Sequence, residues 1–155
     1  MKIKSAIFIL LLMISSLPLY LNAQINPFPP LLATEEKVHQ FFAAYVDRYT
    51  RKYIDGFLSF FSLKAIQNQK DGLEEIRKIY TNFFNQSLAL RYRIEDMRQE
   101  IYQNAVEVKA RYVINQVLKG SVKERGWSGH IRWVLVKDDG ALKILSLEYQ
   151  HEKVP

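Results

Sequence analysis

Few side chains in this sequence can do chemistry. The three histidines are His39, His130 and His151, and none stands in a metal-ligand spacing such as H-E-x-x-H. His39 lies beside the apolar stripe of its segment, His130 alternates away from Ile131 and Trp133, and His151 falls in a short tail with no signal around it. The run Gly126, Trp127, Ser128, Gly129, His130 does not fit G-x-S-x-G and leads into a strand pattern where a nucleophile elbow leads into a helix. No phosphate-binding or dinucleotide glycine motif is present. With no cysteine, the chain has no disulfide, thiolate zinc site, iron–sulfur ligation or cysteine nucleophile. No metal and no cofactor are expected, and no catalytic residue is assigned. What the chain has in quantity is aromatic surface with polar handles, since nine tyrosines, nine phenylalanines and two tryptophans make up 13% of it. Tyrosine and tryptophan combine apolar area with a hydrogen-bonding group, which suits a pocket for a small apolar ligand as well as a packed core.

The elements that position these rings follow from periodicity. Thr34 is an N-cap for a helix from about Glu35 to Tyr53, on which Val38, Phe41, Phe42, Tyr45, Tyr49 and Tyr53 recur at helical spacing. Asp55 caps a short second helix running through Phe61. A short strand is predicted over Ala65 to Asn68, then a turn at Lys70, Asp71 and Gly72, where Asp71 has a turn or capping role. A third helix runs from Leu73 to about Asn85. The apolar period then falls to two. Leu88, Leu90, Tyr92 and Ile94 lead one strand, and Val106, Val108, Ala110, Tyr112 and Ile114 mark the next. Met97 and Ile101 are out of parity with Ile94, which predicts a β-bulge near Glu95 and Asp96 that pairs Ile94 with Tyr112 and Ile101 with Val106. Gly120 to Ser128 reads as a polar loop, and Asp139 and Gly140 turn the last hairpin between strands around Trp133 and over Ala141 to Gln150. Helices lead and strands follow, so the class is α+β with helices on one face of a strongly curved antiparallel sheet. Tyr45, Tyr49, Tyr80, Tyr92, Tyr112 and Trp133 fall on inward faces, with Gln67 as an uncharged polar contact.

The segments around Tyr45 and Tyr49, "DGFLSFFS" from Asp55, "GLEEIRKIYTNFF" from Gly72 and "GHIRWVLVKDDGALKILSLEY" from Gly129 together resemble the nuclear transport factor 2-like, or SnoaL-like, superfamily, from about Glu35 to Tyr149. The resemblance implies a cystatin-like cone in which a bent sheet wraps the first helix and leaves a pocket. Its members include isomerases, dehydratases, hydrolases and binding adaptors, so fold alone leaves activity open. In ketosteroid isomerases the resemblance places a general-base Asp at the end of the first strand. Here Gln67, Asn68 and Gln69 stand there, and an amide cannot abstract a proton. Dehydratase-like members bring an Asp and a His together inside the cone, and no such pair is read from this sequence.

Arg91, Arg93, Lys109 and Arg111 share the outward strand face, and Arg132 extends the row. Glu95, Asp96 and Glu107 are near enough to neutralise it; otherwise it is a docking surface for an acidic or cell-envelope partner, or for a second protomer, since members of this superfamily often dimerise through the sheet.

Lys2 and Lys4 precede an apolar run from Ala6 to Ile14, broken afterwards by Ser15, Ser16 and Pro18, which reads as a secretory leader over residues 1–23 with cleavage after Ala23. The chain is then periplasmic or secreted, and touches membrane only if the leader stays uncleaved. Residues 24–33, with Pro27, Pro29 and Pro30, form an extended tether, residues 34–150 the domain and residues 151–155 a tail. Removing Lys2 and Lys4 from the 22 basic residues leaves 20 against 16 acidic, a mild excess with no arginine-rich tract, so nucleic acid is not an expected partner. The reading favoured by these features is an exported, non-enzymatic binding domain; the alternative is a small-molecule enzyme of isomerase, dehydratase or hydrolase type with atypical residues.

Overall fold

The computed structural model describes residues 28–121 and 123–152, so the leader, residues 24–27 of the proline-rich tether and the last three residues lie outside the described part. The described end of the tether is docked: the Leu32 amide donates to the Tyr102 carbonyl at 2.8 Å and Ala33 is buried.

Helix α1 spans Glu35–Thr50, opened by the Thr34 hydroxyl, which accepts from the Lys37 amide at 3.3 Å. It buries Val38, Phe41, Phe42, Tyr45 and Tyr49 on one stripe. The helix stops three residues before the expected Tyr53, because Lys52 takes a left-handed conformation (φ 57) and its ammonium donates to the Ser87 and Leu88 carbonyls at 2.9 Å. Tyr53 instead precedes helix α2, Ile54–Leu58, which ends short of Phe61. Phe61 begins strand β1, Phe61–Gln67, longer than the four residues expected. The strand turns through Asn68 and Gln69, both at positive φ, into a two-residue strand β2, Asp71–Gly72, where the turn had been expected. Helix α3, Leu73–Gln86, buries Ile76, Tyr80 and Phe84.

Strand β3, Ser87–Ile101, and strand β4, Val106–Leu118, pair antiparallel. Ile94 faces Tyr112, Ile101 faces Val106, and the register shifts between Glu95 and Arg98, with Asp96 at φ 52. The bulge therefore lies where the change of parity requires one extra residue. Strand β5, Glu124–Asp138, starts four residues inside the segment read as a polar loop. Its first residues pair with the far end of β4, Val117 with Glu124 and Ile114 with Trp127, because the long β4 needs partners for its backbone groups. Asp139 (φ 53) and Gly140 (φ 78) make the two-residue turn into strand β6, Ala141–His151.

The sheet order is β2-β1-β6-β5-β4-β3, unclosed and curved, and β1 joins β6 in parallel while every other pair is antiparallel. The helices cover its concave face. Trp133, Leu135, Leu147, Val106, Val108 and Ile144 are fully buried there. Trp133 meets α1 ring against ring, with Phe42 at 4.7 Å between centroids, and α1 packs on α2 in the same way, with Tyr45 at 5.0 Å from Phe57.

Candidate ligand cavity

Where the sheet curls past the C-terminal half of α1, the rings fail to fill the concavity and leave a cavity of about 270 Å3. Tyr45 and Tyr49 come from α1, Ile79, Tyr80 and Phe83 from α3, Tyr92 from β3, Tyr112 and Ile114 from β4, Trp127 and Ile131 from β5, and Tyr149 and His151 from β6. Five of the seven residues read from the sequence as pocket candidates thus line one space: Tyr45, Tyr49, Tyr80, Tyr92 and Tyr112. Trp133 and Gln67 do not line it. Trp133 is packed behind Phe42 and Tyr45, where α1 crosses the sheet. Gln67 is fully buried behind Tyr80, whose hydroxyl donates to Gln67 Oε1 at 3.0 Å, while Gln67 Nε2 has no partner among the described residues.

The lining is nearly all neutral. Burial holds the Tyr49, Tyr80 and Tyr92 hydroxyls well above the usual tyrosine range, and raises Tyr45 for the same reason. Tyr112 is pushed up to about 12, first by burial and then by neighbouring Tyr149 and Glu152. These hydroxyls stay protonated at neutral pH, so they offer hydrogen bonds and not nucleophiles. Among the described residues no carboxylate lines the cavity, and no group of three His, Asp or Glu side chains is placed to hold a metal.

His151 is a correction to the sequence reading. It ends β6 and does not belong to an uninformative tail. Its Nδ1 lies 2.5 Å from the Tyr112 hydroxyl at the cavity edge, and its ring stands 5.5 Å from that of Tyr149. The parity of Leu147, Tyr149 and His151 carried this signal, since three alternate residues of one strand share a face. His39 is exposed, and His130 points out from the opposite face, 3.9 Å from Glu152.

On that outer face lie Arg91, Arg93, Lys109, Arg111 and Arg132, interleaved with acids. Arg93 pairs with Glu95, Lys109 with Glu107, Arg111 with Glu95 and Glu152, and Arg132 with Glu107 and Glu148. Hydrogen bonds from Arg132 and Lys109 hold the Glu107 carboxyl down to about 2, and those from Arg111 and Ser128 do the same for Glu152. Arg91 and Arg98 make no ion pair among the described residues. Arg98 faces Lys109 across the strands and was not read from the sequence as part of the row, because the bulge shifts its parity. An open groove of about 770 Å3 runs past Arg98, Lys109, Arg111 and Arg132.

The architecture and its tyrosine-lined concavity define a nuclear transport factor 2-like fold. Solved structures of the same shape include a candidate scytalone dehydratase from Novosphingobium aromaticivorans, with a TM-score of 0.70 and 10% identity over 76% of this chain and 83% of that one. A nuclear transport factor 2-like superfamily protein from Salmonella enterica gives 0.68 and 12% identity over 77% and 91%, and a candidate dehydratase from Streptomyces avermitilis gives 0.65 and 10% over 77% and 96%. At these identities the likeness is one of fold. No protein-family model matches the chain, and no curated protein matches it.

Proposed function

We propose that this protein is an exported, non-enzymatic binding domain whose tyrosine-lined cavity takes a small, flat, largely apolar ligand. The observation that carries the reading is the cavity itself, about 270 Å3 walled by rings contributed from six separate elements. A dry cavity of about 150 Å3 accepts a benzene ring, so this space suits one or two fused rings with small substituents. Burial of the ring faces supplies the affinity, and the hydroxyls of Tyr49 and Tyr149, without hydrogen-bond partners among the described residues, are available to orient polar substituents. Trp127 lines the space and reports on it. Titration with 2-acetylnaphthalene should change Trp127 fluorescence saturably, and the change should vanish in Ile131→Trp, which fills the cavity. No saturable response in the wild type removes the reading.

The export part of the proposal rests on Lys2, Lys4 and the apolar run after them. The outer face supports a partner role for Arg91, Arg93, Lys109, Arg111 and Arg132 in a particular form. Its alternating arginines and glutamates are self-complementary, which favours a second protomer over a purely anionic polymer. Sedimentation of Arg91→Glu/Arg111→Glu against the wild type tests this, and an unchanged mass counts against it.

A second reading, a small-molecule enzyme of isomerase, dehydratase or hydrolase type, is favoured by the contact of His151 with Tyr112 and by the names of two structural neighbours. It ranks second because, among the described residues, no carboxylate lines the cavity beside that pair.

A further inference from the structure

One ring of the cavity wall, the His151 imidazole, is placed by an unusual amount of apparatus. Gly129 stands opposite both Tyr112 on β4 and His151 on β6. A Cβ at Gly129 would lie 1.9 Å from the Gln150 carbonyl oxygen and 3.0 Å from the His151 Cα, so only glycine lets the end of β6 close over β5. The next residue is clamped from the other face. Glu152 accepts from Arg111 Nε and Nη2 at 3.1 and 3.0 Å and from the Ser128 hydroxyl at 2.6 Å, while its amide donates to the Ser128 carbonyl at 2.8 Å. The side chain between these two constraints is His151. An element-terminal residue ordinarily frays; this one is held against Tyr112.

We infer that Tyr112 and His151 form a carboxylate-recognition pair at the cavity edge, and that the ligand is a one- or two-ring aromatic acid bound as its anion. The inference rests on reading the cavity as a ligand site. The Tyr112 hydroxyl and Nδ1 share one hydrogen bond whose direction follows the imidazole tautomer; in the Nε2–H tautomer the hydroxyl donates and Nδ1 accepts. When a carboxylate enters, one proton from solvent binds Nδ1. That N–H then donates back to the Tyr112 oxygen, and the Tyr112 O–H is released to donate to the carboxylate. The anion thereby gains a charge partner and a hydrogen-bond donor in a wall that otherwise has neither charge nor acid. The groups on the cavity side of His151 are Tyr112 on β4 and Tyr149 on β6, with apolar Ile79 and Phe83 of α3 across the cavity; Arg111, His130 and Glu152 lie on the opposite face, where Arg111 and Glu152 pair with one another.

The test is calorimetric titration of the purified protein with 2-naphthoate and with its neutral isostere 2-acetylnaphthalene, in two buffers of different ionisation enthalpy. Wild type should bind the acid roughly tenfold or more tightly than the ketone and take up protons with the acid alone. His151→Gln and Tyr112→Phe, shown to fold by wild-type circular dichroism and cooperative urea melts, should lose both the preference for acid over ketone and the proton uptake. Equal affinity for the two probes in the wild type, or an acid preference that survives in His151→Gln, overturns the pair while leaving the cavity reading intact. Failure of both probes to bind overturns both.

Discussion

Replacing Gly129 by alanine tests the close approach on which the cavity edge depends. The added methyl would meet the Gln150 carbonyl oxygen at 1.9 Å and its carbon at 2.9 Å, both backbone atoms with no rotamer to yield. Relieving the contact requires the β5 and β6 backbones to part by roughly 1.5 Å, since non-bonded heavy atoms settle at about 3.5 Å. Overpacking of this kind costs about 1–3 kcal/mol. The displacement falls on the residues that pair Gly129 with His151, so the contact between His151 and Tyr112 should open with it. Gly126 on the same strand is the matched control, because a methyl there has only the Ile114 carbonyl oxygen at 3.9 Å. Urea melts should show Gly129→Ala destabilised by about 1–3 kcal/mol and Gly126→Ala within about 0.5 kcal/mol of wild type. Equal stability of the two variants would refute the steric argument.

Two further expectations concern pH. Tyr112 has a raised pKa of about 12, with Tyr45, Tyr49, Tyr80 and Tyr92 also raised, so unfolded tyrosines ionise from about 10 while the buried ones resist. Stability is then intact below pH 10 and falls between pH 10 and 12, and absorbance titration at 295 nm should show these rings ionising only with unfolding. Glu107 is shifted the other way, from 4.5 to about 2, so its contribution is present above pH 4.5 and fades as pH falls toward 2. Half-exposed partners screen that pair, so Glu107→Gln should cost under about 1 kcal/mol at pH 7, and the difference from wild type should close in acid melts near pH 2.

The parity of Ile94, Met97 and Ile101 was enough to locate the bulge in β3 and the register of β3 on β4, because a strand has only two faces and one must be apolar. The stripe of α1 and the Asp139–Gly140 turn were legible for similarly local reasons. The start of β5 was not, because Arg125, Gly126 and Ser128 have turn composition and pair only because β4 is long enough to need them. Gln67 was placed on the correct strand but one layer behind the cavity, where Tyr80 covers it.

Alternation and helical spacing thus determined, from the residues alone, which side chains face inward and that most of them are neutral rings. Beyond the hairpin neighbours, they carry no information about which strand lies beside which. That β1 crosses to run parallel to β6, and that β6 ends with His151 over Tyr112 and Glu152 on Arg111, was decided by pairings between residues far apart in the chain. Such contacts depend on backbone approach at Gly129 and on the curvature of the assembled sheet, which no local pattern encodes.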